Sequence, residues 1–407
     1  MRAEDLTSVF GGKRNDDIEI LRGVAVLFVL ADHLLGFWNI EGVQSALSDY
    51  LSLWGGVDLF FAISGFVITR SLLRSMADLH SLQDRVRALV SFWIKRVWRL
   101  WPAAWFWLVL PFVVAFVAMP EMRADANLRA NVSFLFGGIL NVVNIQQWAY
   151  WHHQGMQSLY ASPYWSLSLE EQFYLLCAPL LLFASRKWVI ALLVFAIAVQ
   201  FPIVRHANSD DLAWFFRSDA FAWGVLLALF ASNRVLVTLV EPTLLRSGWF
   251  ALPFAVFLFA SVAVMPQLMY ALPFGVGLMA ALSGSLVYIA SYDKGYLGFR
   301  GGIARLFSWA GDRSYAIYLV NGPVIALGLR LSPFNGMDRA NTADLLLLTG
   351  GFLTCTLVMA EMTYRLIEVP ARLHGRKLAK AYGAATSARG CYEPAPAGNA
   401  ASEAGRG

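Results

Sequence analysis

The sequence predicts an all-α protein that crosses a membrane about ten times. Hydrophobic residues make up 58% of the chain and charged residues only 14%, both far from soluble averages. Apolar runs recur that are too many and too long for one soluble core. The cations sit in the loops between these runs. The net charge of +5 therefore reads as membrane topology rather than nucleic-acid affinity.

The first span, 19–38, follows Lys13 and Arg14 with no small-residue cleavage site after it, which predicts a retained anchor. Further spans are expected at 52–73, 100–119, 165–185, 188–206, 212–231, 249–265, 270–291, 314–330 and 344–364. The loop 74–99 carries Arg85, Arg87, Lys95 and Arg96 and belongs in the cytoplasm by the positive-inside rule. Alternation then places Arg186 and Lys187, Arg234 and Arg246, and Lys294 to Arg313 on the same side, with both termini. Residues 131–146 are apolar but short. Counting them as a span would invert every later loop, so they read as a re-entrant or interfacial segment on the outer side. The chain thus divides into a cytoplasmic segment 1–18, a membrane domain 19–372 and a cytoplasmic tail 373–407. Rich in Ala, Gly, Ser and Pro from 382 onward, the tail reads as disordered. Cys177, Cys355 and Cys391 form neither a metal spacing nor a disulfide framework.

Several intramembrane polar groups stand out, because ionisable side chains are costly in lipid and must face protein or water. Arg22 and His33 are eleven steps apart, which on a helix is nearly the same face (about 20° off) and roughly 16 Å along the axis. That suits a pocket gripping an anion at one end and handling a proton at the other. The plainer reading is a polar helix contact with Arg22 snorkelling to the interface. Arg96 and Arg99 share a helix face at an inner mouth. They can bind phosphate bidentately, or serve only as topological anchors. Glu170 and Glu171 open the fourth span among aromatics, and Glu170 is expected at the depth of His33, where a carboxylate would orient the imidazole. Asp58, Arg217 and Asp219 are expected to pair across helices, since an Arg and an Asp two apart do not face each other. Ser64 and Gly65 read as a close-packing site. No phosphate-binding loop, nucleophile elbow or zinc spacing occurs, and the adjacent His152 and His153 lack nearby carboxylates; no metal is expected.

In this order the motifs resemble those of the acyltransferase-3 family of integral membrane acyltransferases. The similarity spans about 17–372. It rests on Arg22 and His33 (Arg-x10-His), the Gly56–Phe66 block with Asp58, Arg96-x-x-Arg99-x-x-Pro102, and Trp165-Ser166 through Glu170 to Tyr174. Arg217, Gly224, Ser314-Tyr315 with Tyr318-Leu319, and Glu368-Val-Pro370 complete it. The resemblance implies transfer of an acyl group, usually acetyl from acetyl-CoA, to a hydroxyl of a carbohydrate or small-molecule acceptor of the cell envelope. It further implies a multi-pass protein of the bacterial inner membrane, with the bilayer as partner and no nucleic acid; self-association into a homo-oligomer stays open. His33 is then the candidate base with Glu170 as its support. Arg22, Arg96 and Arg99 become the candidate acyl-CoA phosphate ligands. Asp58, Trp165, Ser166, Tyr174, Arg217, Asp219, Tyr315 and Asn321 form a substrate or structural network. At Asn321 the chain departs from the family, which commonly has a histidine there. A transporter or flippase of a glycan-lipid, using the same polar residues without acyl chemistry, is the alternative.

Overall fold

The computed structural model describes residues 15–35, 51–76, 79–123, 125–153, 163–205, 211–269, 271–328 and 342–390. Every regular element among them is helical. The order is α1 (Asp16–Leu35), α2 (Gly56–Ser75), α3 (Leu82–Ala118), α4 (Asp125–Leu140), α5 (Val143–His153), α6 (Tyr164–Phe183), α7 (Arg186–Gln200), α8 (Asp219–Ala231), α9 (Gly248–Leu268), α10 (Gly275–Ser291), α11 (Gly301–Asp312), α12 (Ser314–Gly328), α13 (Thr342–Thr363) and α14 (Val369–Gly390). Among the described residues each expected span overlaps helix, with 212–231 broken at 216–218 between a short helix (Leu212–Phe215) and α8, and overlap alone does not fix the number that cross a membrane. Among the described residues five stretches, 53–75, 82–118, 212–231, 249–268 and 343–383, are long and apolar enough to cross a bilayer. α1 and α6 fall outside that set although each has 20 residues. Asp16, Asp17, Glu19, Arg22 and Asp32 lower the hydropathy of α1, and Glu170 and Glu171 that of α6.

α2 and α8 form the central pair. Their backbones approach through reciprocal glycines: a Cβ at Gly65 would lie 2.3 Å from the Phe221 carbonyl oxygen, and one at Gly224 2.1 Å from that of Ala62. Small residues permit such contact where lipid supplies no hydrophobic drive between helices. Around this pair pack α1, α6 and α10, and Asp17, Glu19, Arg22, Asp32, Glu170 and Glu171 are buried or half-buried while Asp16 is exposed. α11 lies along α1.

Residues 131–146 form a helical hairpin rather than one element. α4 ends at Leu140, Asn141 takes a positive φ of 55°, and α5 starts at Val143. The turn is pinned to α6. Asn144 and Gln172 exchange side-chain hydrogen bonds of 3.1 and 2.9 Å, Gln172 also donates to the Asn141 carbonyl at 2.9 Å, and the Val143 amide donates to Ser168 at 3.1 Å. These bonds satisfy the backbone groups that a turn buried among helices leaves open.

α3 starts with a capping box, in which Ser81 and Asp84 each bond the other's backbone amide at 3.1 and 3.0 Å. Its 37 residues rise about 55 Å, well beyond the hydrocarbon core. α14 packs along it, with the His374 ring centroid 4.3 Å from that of Trp98 and Gly375 against the Trp98 side chain. This corrects the tail expected from 373: the chain is helical to Gly390, because Ala371, Gly375 and Ala379 at four-residue spacing give α14 a small-residue face. Residues 391–407, 1–14 and the side chains of His152 and His153 lie outside the described residues.

Candidate active site

Five helices converge on one cleft with about 600 Å³ of atom-free space, part of it open to solvent. Its polar lining is Arg22 of α1, Ser64 of α2, Arg96 and Arg99 of α3, Ser166, Glu170 and Tyr174 of α6, and Ser314, Tyr315 and Tyr318 of α12. Val57, Phe60, Phe61, Leu100 and Leu167 supply apolar walls.

One end is cationic. Arg22, Arg96, Arg99 and Arg372 lie within each other's electrostatic reach. Arg22 is partly offset by Glu19 at 3.4 Å, one turn earlier on α1. The Arg96 guanidinium stands 5.1 Å from the Tyr174 ring centroid and 5.5 Å from that of Phe92. These cation–π contacts orient its fork without consuming its N–H donors.

Glu170 borders this end. Ser64 Oγ donates to its carboxylate at 2.6 Å, the Tyr174 hydroxyl donates to the same oxygen, and its charge couples to Arg96, Arg99 and Arg22. The expected contact with His33 is absent among the described residues. The reason is where α6 begins. The Tyr164 hydroxyl donates to the Ala104 carbonyl at 2.8 Å, fourteen residues, or about 20 Å, back from the Ala118 end of α3. The first turn of α6 is already deep, and Glu170 lies more than a turn deeper, beside the arginines.

Farther along, Ser166 donates to the Pro163 carbonyl at 3.0 Å and meets the Tyr318 hydroxyl at 2.5 Å. With the Ser166 proton so committed, Tyr318 is the donor of that second bond. One turn beyond Tyr318 on α12, buried Asn321 is hydrogen-bonded through Oδ1 to Nδ1 of half-buried His33. Next to His33, Asp32 accepts from Ser52 at 3.2 Å and from the Leu53 amide at 2.7 Å, tying α1 to the entry of α2. Tyr315 donates to the Leu100 carbonyl at 2.7 Å. That bond locks α12 against α3.

Asp58, Arg217 and Asp219 form a separate buried network, paired across elements as expected. Arg217 reaches Asp58 at 3.1 Å, while Asp219 pairs with Arg205 at 2.6 Å. The Arg217 guanidinium stands 3.8, 4.8, 5.3 and 6.0 Å from the ring centroids of Trp214, Trp165, Trp54 and Phe61. Aromatic faces thus surround a cation whose Nε and Nη1 have no hydrogen-bond partner among the described residues. Phe61 also lines the cleft, so this network buttresses its wall. Sequence alone gives no role to Arg205 or Asn144, and none to Gln172 beyond its place in the Trp165–Tyr174 motif. Arg205 follows a span end with no motif around it, and Asn144 and Gln172 acquire meaning only when the hairpin turn meets α6. Among the described residues, no group of three His, Cys, Asp or Glu side chains is placed to hold a metal.

The family model of the acyltransferase domain matches residues 15–361. Among curated proteins, the chain is 27% identical over 398 residues to the peptidoglycan O-acetyltransferase OatA of Listeria monocytogenes, covering 91% of this chain and 57% of that protein. It is 28% identical over 382 residues to a Bacillus subtilis protein provisionally named a peptidoglycan O-acetyltransferase, covering 87% and 54%. A Staphylococcus aureus protein provisionally named an O-acetyltransferase is 25% identical over 383 residues, covering 88% and 57%. The chain therefore spans somewhat over half the length of these relatives. No solved structure matches it significantly. With the family model covering residues 15–361, most of the chain, the protein belongs to the acyltransferase-3 family.

Proposed function

We propose that this chain is a membrane-embedded O-acetyltransferase that moves an acetyl group from acetyl-CoA to a hydroxyl of a cell-envelope glycan. The names of its relatives make peptidoglycan the first acceptor to try. The observation that carries the reading is the polarity of the cleft: three arginines at one end, and the Tyr318–Ser166 pair leading toward His33 at the other. Coenzyme A is a polyanion, and guanidinium groups hold phosphates by charge-assisted bidentate bonds. In the proposed topology the arginine end faces the cytoplasm, where acyl-CoA is made, and His33 faces the outer side, where the glycan lies. The chain is then a multi-pass protein of the bacterial inner membrane with both termini cytoplasmic.

In the proposed reaction, His33 removes the proton from the acceptor hydroxyl as its oxygen attacks the thioester carbonyl. The new C–O ester bond forms, the C–S bond breaks, and the imidazolium returns the proton to the departing thiolate. Glu170 takes a different part from the one expected of it. It organises Ser64 and Tyr174 and offsets the charge of the arginine cluster, which keeps the cations assembled before the donor arrives.

Acetyl-CoA binding to the purified protein in detergent, measured by calorimetry, tests this reading. Saturable binding weakened at least tenfold by Arg96→Ala or Arg99→Ala, and weakened further by salt, is expected. Absence of CoA binding in folded protein would contradict it.

A further inference from the structure

We infer that Asn321 is the positioning residue of the base: it fixes His33 in the Nδ1–H tautomer, so that Nε2 is the nitrogen that takes the acceptor's proton. The inference rests on His33 being the base, and its geometry comes from the amide.

Both protons of the Asn321 amide are committed. Nδ2 donates to the carbonyl oxygens of Ile317 and Tyr318, each at 2.9 Å, within its own helix. These bonds fix which way round the amide lies, so the atom facing His33 is Oδ1, an acceptor without a proton. An acceptor bonds only a donor. Nδ1 of His33 therefore carries hydrogen in the neutral ring and in the imidazolium alike, and the proton exchanged in each cycle sits on Nε2. Asn321 is almost wholly buried on α12, and α12 is held against α3 and α6 by Tyr315–Leu100 and Tyr318–Ser166. The ring is thus referenced to the helix whose Tyr318 lines the cleft.

This accounts for the chain's departure from the family histidine. A second imidazole at this position would have two tautomers of its own and could meet Nδ1 as donor or acceptor. An amide tied down by two helix carbonyls offers one. Being uncharged, it orients the ring without binding the imidazolium so tightly that proton return to the thiolate is slowed.

The test uses the full chain purified in detergent with ring-15N-histidine. The His33 signals are identified by their loss in His33→Gln, and acetyl-CoA cleavage is followed as thiol release with a soluble peptidoglycan glycan fragment as acceptor. The wild type is expected to show a protonated Nδ1 and a bare Nε2 in the neutral ring. Asn321→Leu is expected to lose that preference and to lower kcat about 100-fold with less than threefold change in KM for acetyl-CoA, a smaller loss than the roughly 10⁴-fold that the wrong tautomer costs a hydrolytic triad. Asn321→Asp, which keeps an acceptor, is expected to restore the Nδ1–H signature and at least a tenth of the wild-type rate. An Nε2–H tautomer in the wild type, or an Asn321→Leu protein with unchanged tautomer and rate, would overturn the inference. If His33→Gln itself turns over at the wild-type rate, the base assignment fails instead, and the nitrogen spectra decide the tautomer separately.

Discussion

Ser64 on α2 donates to Glu170 on α6 at 2.6 Å, and both side chains line the cleft beside Arg96 and Arg99. A hydrogen bond to an ionised group is among the stronger kinds, and this one joins two motifs 106 residues apart in sequence. Removing it frees the carboxylate to turn toward the arginines and occupy donor space. Ser64→Ala is expected to lower turnover of acetyl-CoA about tenfold. Glu170→Gln, which leaves the arginine charges unbalanced, is expected to cost more in rate than Ser64→Ala while thermal stability stays near wild type. Steady-state kinetics on the two purified variants check this, and an unchanged rate in both would separate Glu170 from the chemistry.

Asp58 and Arg217 are both fully buried. A partnerless charge in such a place is far more costly than the pair. Asp58→Ala is expected to destabilise the protein by about 3–5 kcal/mol, and Asp58→Ala with Arg217→Leu by clearly less than the sum of the single changes. Unfolding midpoints in detergent measure both. Additive losses would mean that the two charges are not energetically linked.

Outside the spans, Glu241 accepts from Lys294 at 2.7 Å and from Arg246 at 3.1 Å, and the Tyr296 hydroxyl also donates to it. The bonds from Lys294 and Tyr296 hold its carboxyl down at about 2. A carboxyl lower in the folded than in the unfolded chain stabilises the fold above the ordinary carboxylate value. The contribution is lost as pH falls toward the folded value. The stability difference between wild type and Glu241→Gln is therefore expected to be constant from pH 7 down to about 5. It should then shrink progressively toward pH 2. Thermal midpoints across that range check it; a gap that widens on acidification would contradict the assignment.

Much of this site is legible in the sequence, because charged residues inside apolar runs have few uses. Arg22, Arg96 and Arg99 share a cleft, and Arg217 and Asp219 take separate partners as expected, although Arg217 lies in the break before α8 rather than on it. For the short apolar stretch 131–146 the loop charges argue against a span, but the break at Asn141 that makes it a hairpin carries no sequence signal of its own. What the sequence withholds is depth. Nothing local tells that α6 begins well inside the protein at Tyr164, so Glu170 lands beside the arginines and His33 is left to Asn321. The role of Ser64 was hidden likewise: its neighbour Gly65 explains close packing so well that the hydroxyl, turned to another helix, drew no notice. The helical run to Gly390 was masked by composition, since small residues mark a disordered tail and a closely packed helix alike.

The central claim is that His33 performs the proton transfer in acyl transfer from CoA. It is tested most directly by acetyl-CoA turnover with a peptidoglycan glycan fragment, comparing wild type and His33→Ala at matched folding and matched acetyl-CoA binding. His33→Ala is expected to bind acetyl-CoA like the wild type and to lose turnover by at least 100-fold. Full turnover in His33→Ala would contradict it.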